Sequence, residues 1–273
     1  MFPSKTVILG FREKVWQYYR EYGRLFPWRE TDDPYSIFVS ELMLQQTQTG
    51  RVLKKYEPFL QEFGSFGELA EAPLSRVLQM WSGLGYNRRA LGLKQSSEII
   101  HNRYQDRLPS DRHELIQLPM IGPATAGSLQ AFVYNKPSVF IETNIRRVIL
   151  HHFFPQREEV RDNEILSFVT AVLDEDDPRH WYYALMDYGV YLKNAVPNPN
   201  RRSAHYQRQP PFQNSNRQIR GKLVSLLARN SGMSLEEIHT RLEHFEISRI
   251  EGCLRRLEEE GFIAAEDELY RIT

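Results

Sequence analysis

Four stretches of this 273-residue chain carry residue types that could do chemistry. The first is Ser40-Glu41-Leu42-Met43-Leu44-Gln45-Gln46-Thr47-Gln48, set inside an apolar-periodic run from Ile37-Phe38 to Val52-Leu53. Core-facing helices are built mainly from Leu, Ile, Val, Phe and Ala. A carboxyl group, two consecutive glutamines and a threonine break that pattern. Either these groups face solvent, or the helix aims polar chemistry into a cleft. The second stretch, Val139-Phe140-Ile141-Glu142-Thr143-Asn144-Ile145-Arg146-Arg147-Val148, delivers another carboxyl group to the start of a helix. Dipole and capping preferences alone would account for Glu142 and Thr143 there. The third, Leu118-Pro119-Met120-Ile121-Gly122-Pro123-Ala124-Thr125-Ala126-Gly127, is a glycine-bearing turn between helical patterns. Such a turn either only packs, or presents backbone N–H groups at a helix N-terminus to a phosphate. The fourth runs from Lys193 to Arg220 with six basic residues (Lys193, Arg201, Arg202, Arg208, Arg217, Arg220) and no acidic one. It is either a solvated linker or a strap that neutralises phosphates.

The elements that must position these groups are mostly helical. Apolar periodicity predicts helices at Val7–Tyr22, Ser36–Phe63, Phe66–Glu71, Pro73–Met80 and Arg88–Arg103. It continues with Asp111–Leu118, Ala124–Val133, Thr143–Phe154, Asn163–Leu173 and Pro178–Lys193. Residues 1–193 therefore read as an all-α body with the hairpin at 118–127. Residues 194–216, rich in Pro, Asn and Arg, read as an extended basic linker. Beyond it, three helical patterns and two short strands, around Gly261–Ala264 and Leu269–Ile272, resemble a winged-helix arrangement over 217–273. From Asn214 onward nine basic residues face eleven acidic ones. That balance does not favour DNA grip, so a protein partner or structural support is an equal expectation for this part.

Composition bounds the rest. A net charge of zero does not by itself advertise a nucleic-acid partner. No apolar run approaches the ~20 residues of a membrane span, and Met1-Phe2-Pro3-Ser4-Lys5 lacks a secretory pattern. The expected setting is the cytoplasm. One cysteine, Cys253, excludes an internal disulfide, a four-thiolate iron–sulfur cluster and a Cys-rich zinc site.

Taken together, the segments resemble the helix-hairpin-helix (HhH-GPD) DNA glycosylases, specifically the adenine-glycosylase branch called MutY. The pieces are Phe26-Pro27-Trp28-Arg29, Pro34-Tyr35, the Glu41 to Gln48 run, Trp81-Ser82-Gly83-Leu84-Gly85-Tyr86 and the hairpin. Asn144-Ile145-Arg146-Arg147-Val148 and Ala184-Leu185-Met186-Asp187-Tyr188-Gly189 complete it, in family order from about residue 26 to 190. Endonuclease III and thymine-mismatch glycosylases share the hairpin and fold, but usually not the Gln-Gln-Thr helix.

The resemblance implies two helical subdomains with a DNA cleft between them and a target base flipped out of the duplex. Glu41 matches the acid that protonates the leaving adenine, which requires a carboxyl kept protonated by an apolar setting. Phe38, Val39, Leu42 and Leu44 are the neighbours that could provide it. Glu142 stands where the family places an aspartate that stabilises the oxocarbenium-like sugar. Asn144 would orient that carboxylate or the catalytic water. Gln45 and Gln46 match residues that fill the gap in the duplex, and Tyr86 matches an aromatic wedge. Met120, Gly122, Ala124 and Thr125 of the hairpin, with Arg201 and Arg202 of the basic segment, complete the expected DNA contacts.

The chain also departs from the pattern. Glu142 adds one methylene to the family's aspartate. Ala124 replaces the Lys of lyase-active relatives, which implies a monofunctional enzyme. The iron–sulfur cysteines are missing, with Lys193 where the first would fall, and the basic segment occupies their place. The C-terminal domain that reads 8-oxoguanine is replaced by the winged-helix-like part. No metal ligand set is expected and no cofactor is required, although a monovalent cation held by hairpin carbonyls is compatible with the resemblance. The expected activity is hydrolysis of the N-glycosidic bond of a mispaired base in double-stranded DNA, adenine opposite 8-oxoguanine or guanine. Thymine or uracil opposite guanine is the alternative substrate, and a DNA-binding protein without catalysis is the alternative of another class.

Overall fold

The structure, a computed structural model, describes residues 3–207, 211–230 and 232–273; Arg208 of the basic segment lies outside the described residues. In chain order the helices are α1 (Lys5–Tyr22), α2 (Pro34–Leu44), α3 (Thr49–Glu62), α4 (Phe66–Glu71), α5 (Leu74–Trp81) and α6 (Arg88–Tyr104). They continue with α7 (Arg112–Ile116), α8 (Pro123–Tyr134), α9 (Thr143–Phe153), α10 (Asp162–Val172) and α11 (Pro178–Ala195). The C-terminal part adds α12 (Asn216–Leu227), β1 (Met233–Ser234), α13 (Leu235–Arg241), α14 (Ile247–Glu259), β2 (Ile263–Glu266) and β3 (Leu269–Ile272). Among the described residues no helix is long and apolar enough to cross a membrane.

The chain forms two compact units, each assembled from discontinuous segments. The first comprises Met1–Glu41, Ser110–Gln117 and Ile121–Arg208, and the second Leu42–Pro109, Leu118–Met120 and Gln209–Thr273. Residues 217–273 thus share a compact unit with residues 42–109 rather than standing alone.

In the first unit, α1, α9, α10 and α11 enclose a core rich in aromatic rings, with Trp181 and Tyr182 wholly buried. Local signals set the helix starts. Ser4 caps α1, and Asp177 caps α11 with Pro178 at its first position. Gly189 lets α11 approach α9 closely, since a Cβ there would lie 2.5 Å from the Asn144 carbonyl oxygen. Residues 199–202, expected in an extended linker, instead form a 3-10 helix that packs on α9. Pro199, Asn200 and Ser203 are buried there, and Val160 and Ser203 form a parallel bridge. Local turn chemistry explains the difference: Asn198 caps the turn and Pro199 starts it.

In the second unit, the single helix expected over Ser36–Phe63 is broken. α2 ends at Leu44, α3 begins at Thr49, and Gln46 occupies the left-handed region at φ 52°. The cause is Arg89 of α6, which is buried. Its guanidinium donates to the carbonyls of Leu42 and Met43 (2.7 Å each), closing α2, and to Thr47 Oγ1 (2.9 Å) in the turn. It also donates to the Gly85 carbonyl (2.9 Å) and lies over the Trp81 and Tyr86 rings. A side chain far along the sequence satisfies the terminal carbonyls that a continuing helix would have used.

The C-terminal part has the helix and strand order of a winged helix. Its three strands run in the order β1-β3-β2, antiparallel, with Met233 opposite Tyr270 and Ile263 opposite Ile272. β1, only two residues long, gave no sequence signal. Ser234 and Glu237 form a reciprocal capping box at α13. Gln79 of α5 donates to the Ala228 carbonyl (2.5 Å), and α12 packs on α5.

Candidate active site

Glu41 and Glu142 both belong to the first unit. Glu41 projects from α2, whose neighbouring Phe38, Val39 and Leu42 are wholly buried, whereas Leu44 is partly exposed. Burial is the main influence on the Glu41 carboxyl and pushes its pKa up to about 7. The Ser128 hydroxyl and the Arg29 cation oppose this rise, and the charge of Glu142 reinforces it.

Ser128, buried in α8, is the direct partner. Its Oγ lies within hydrogen-bond reach of Glu41 Oε2 and also, at 3.0 Å, of the Thr125 carbonyl. A hydroxyl carries one proton. When Glu41 is ionised that proton points to the carboxylate. When Glu41 is protonated, the serine proton can turn to Thr125 and its oxygen can accept from the acid. One residue therefore matches both charge states.

Glu142 caps α9. Its Oε1 accepts from the backbone N–H of Asn144 (2.7 Å) and Ile145 (2.8 Å), and its Oε2 accepts from Asn144 Nδ2 (3.1 Å). Burial raises its pKa, opposed by the two backbone N–H groups and the Arg147 and Arg146 cations. Every partner of Glu142 donates, which favours the ionised acceptor. Buried Arg147 fixes the orientation of the Asn144 amide: it donates to Asn144 Oδ1 (2.6 Å) and to the Gly189 carbonyl (2.8 Å). That leaves Asn144 Nδ2 aimed at Glu142.

Arg29 is held beside these groups by Asp187, which is buried in α11. The guanidinium donates through both of its terminal nitrogens to the two Asp187 oxygens, at 2.9 Å each. Arg24 binds the same carboxylate through its backbone N–H and Nε, both at 2.8 Å. Arg29 also lies 4.4 Å from the Tyr183 ring centroid. Asp187 and Arg29 occurred in motif segments without a role assigned from sequence. Arg147 likewise stood in a quoted segment without a role of its own, while Ser128 and Arg89 gave no signal, because the groups they serve on α2 lie far away in the chain.

The residues expected to touch DNA fall into distinct settings. Gln46, Tyr86 and Met120, all in the second unit, have φ of 52°, 48° and 64°. Left-handed backbone costs a non-glycine residue roughly 1–2 kcal/mol. Tyr86 and Met120 are 43% and 41% exposed, and Gln46 is exposed as well. Gln45 is partly buried and its Nε2 donates to the Met120 carbonyl (3.3 Å). Gly122 and Ala124 are exposed, Thr125 is partly buried, and α8 starts without a side-chain cap. In the hairpin, the carbonyls of Pro119 and Met120 accept from Ser96 Oγ and Gln45 Nε2. Arg201 is exposed. Arg202 instead donates to the Pro155 carbonyl, and its buried Nε has no hydrogen-bond partner. Arg202 therefore braces the 3-10 turn rather than forming a free strap.

Residues 39–167 match the family model described as HhH-GPD superfamily base excision DNA repair protein. An adenine DNA glycosylase of Mycolicibacterium smegmatis is 30% identical over 227 residues, covering 77% of this chain and 78% of the relative. One from Buchnera aphidicola subsp. Baizongia pistaciae is 35% identical over 146 residues, covering 53% of this chain and 42% of the relative. The chain spans about half the length of the Buchnera relatives it matches, between 42% and 53%. Among solved structures, a thermostable thymine-DNA glycosylase superposes with a TM-score of 0.60 at 24% identity, covering 67% of this chain and 86% of that one. The fold, the motif order and the long match to a relative together place this chain in the HhH-GPD superfamily of base excision DNA repair proteins.

Proposed function

We propose that the chain is a monofunctional DNA glycosylase that hydrolyses the N-glycosidic bond of a mispaired base, adenine opposite 8-oxoguanine or guanine. The observation that carries this reading is the pairing of two unlike carboxyl groups in one compact unit. Glu41 has a pKa of about 7 and a partner suited to its protonated form. Glu142 is surrounded by donors that suit its ionised form. Two carboxyls set apart by environment supply an acid for the leaving group and an anion for the cationic sugar.

In this mechanism Glu41 donates its proton to the leaving base as the glycosidic bond breaks, and the bonding electrons depart with the base. The Glu142 carboxylate stabilises the oxocarbenium-like sugar, and Asn144, clamped by Arg147, holds that carboxylate in place. Water then attacks the anomeric carbon and gives up a proton, which returns the Glu41 carboxylate to its acid form. Ala124 cannot form a Schiff base with the sugar, so strand cleavage does not follow. The uncapped α8 N-terminus and the strained, exposed Gln46, Tyr86 and Met120 support a DNA-facing role, since backbone strain concentrates at functional sites.

The test uses duplexes that each carry one defined mispair or lesion, followed by alkali to cut abasic sites. Cleavage of adenine opposite 8-oxoguanine or guanine only after alkali is the expected result. Activity on thymine or uracil opposite guanine alone would overturn the substrate assignment. Binding without base removal from any duplex would overturn the enzyme reading. Cleavage before alkali, with borohydride trapping, would overturn the monofunctional one.

A further inference from the structure

The C-terminal part is electrically lopsided. Residues 216–230 carry Arg217, Arg220, Lys222 and Arg229 and no acid, a balance of +4; residues 231–273 carry eleven acidic and five basic residues, a balance of −6. The turn between β2 and β3, where a winged helix presents its wing, is Asp267-Glu268, and it is exposed together with Glu266 at the end of β2. Phosphates would be repelled there. The basic helix α12 has a different outlook. Together with the turns at 46–48 and 83–87 it walls a groove of about 780 Å³ within the second unit. Gln46, Arg51 and Tyr86 line it together with Phe212, Arg217 and Lys222. Phe212 is 61% exposed. Two further lining residues, Arg88 and Arg220, bridge Glu260 at 2.5 Å each, and these hydrogen bonds hold its pKa down at about 2. The size falls within the roughly 300–1,000 Å³ range of ligand clefts. Cations along a groove with aromatic faces are how proteins hold unpaired nucleic-acid strand.

We infer that this groove binds an unpaired nucleotide of DNA and its flanking phosphates, so that α12, rather than α14 or the wing, is the nucleic-acid face of the C-terminal part. This rests on the glycosylase reading above, because Gln46 and Tyr86 are there the residues beside the gap left by a flipped base. The nucleotide next to that gap is the one that has lost its partner. Arg217 and Lys222 would contact its phosphates, while Phe212 and Tyr86 offer ring faces to the base.

The test measures binding in the full chain carrying Glu41→Gln, with fluorescence anisotropy of a duplex holding adenine opposite 8-oxoguanine, between about 50 and 200 mM salt. Arg217→Gln/Lys222→Gln, checked for folding by thermal melting, should weaken binding about 10-fold or more and reduce the salt slope by about 2. Phe212→Ala should weaken binding to this duplex more than to a fully paired one. Unchanged affinity and slope, in a protein that still removes the base without Glu41→Gln, would overturn the groove and leave the glycosylase reading standing. Weakened binding in a protein that removes no base would sustain the groove and overturn that reading. Competition by polyglutamate as effective as by DNA of equal charge would overturn the nucleotide assignment in favour of an acidic protein partner.

Discussion

Glu41 gives the sharpest expectations because its two proposed properties, acidity and burial, are separately measurable. If it donates a proton, single-turnover base removal should fall as pH rises through about 7. Ser128→Ala removes the hydroxyl that lowers the Glu41 pKa, so that limb should move to higher pH; a limb that stays put or moves down would remove Ser128 from the site. Glu41→Gln should abolish turnover and leave binding intact. The same carboxyl affects stability. Its pKa is about 7 in the folded chain against 4.5 for an ordinary glutamate side chain, so folding takes up a proton between those values. Its contribution is fullest below about 4.5 and is lost as pH rises to about 7. Glu41→Gln should therefore stabilise the protein at alkaline pH, by on the order of 2 kcal/mol. At acidic pH, urea titration should find the two proteins alike.

Two close approaches decide where the proposed catalytic and DNA-side residues stand. Gly189→Ala would push against the Asn144 carbonyl, where a Cβ has only 2.5 Å. Overpacking of this kind costs typically ~1–3 kcal/mol. Because Asn144 is displaced, base removal should fall by more than the loss of folded protein explains, which activity per folded molecule would show. Arg89→Lys keeps the charge but loses the fork that serves Leu42, Met43, Thr47 and Gly85 at once. A drop in stability of ~2–4 kcal/mol is expected, with faster hydrogen exchange at the end of α2 and in the 83–87 turn. These elements also show how far the chain could be read in advance. Apolar periodicity located most helices, and Glu142 announced itself as a helix-start residue because capping is local. The break between Leu44 and Thr49 was invisible, since the residues there are good helix formers and the overriding guanidinium lies more than 40 positions away. Ser128 escaped for the same reason: its meaning is a contact 87 residues back. The 3-10 turn at 199–202 was hidden by a composition that suits extended chain equally well.

The distribution of charge adds what net charge conceals. A chain of zero net charge carries a +4 segment at α12 and a −6 segment after it, so its affinity for DNA should fall steeply with salt despite its neutrality. A salt-independent affinity would contradict both proposals. The interleaving of the two compact units has a consequence for how the protein comes into being. Residues 42–109 lie within the span of the first unit, and residues 209–273 complete the second. On the ribosome, the early helices must wait for partners made much later. Glu41 emerges well before Ser128 and Glu142, and α5 waits for α12. The nascent chain therefore exposes apolar surface for most of its synthesis. For the same reason no single proteolytic cut can release either unit whole.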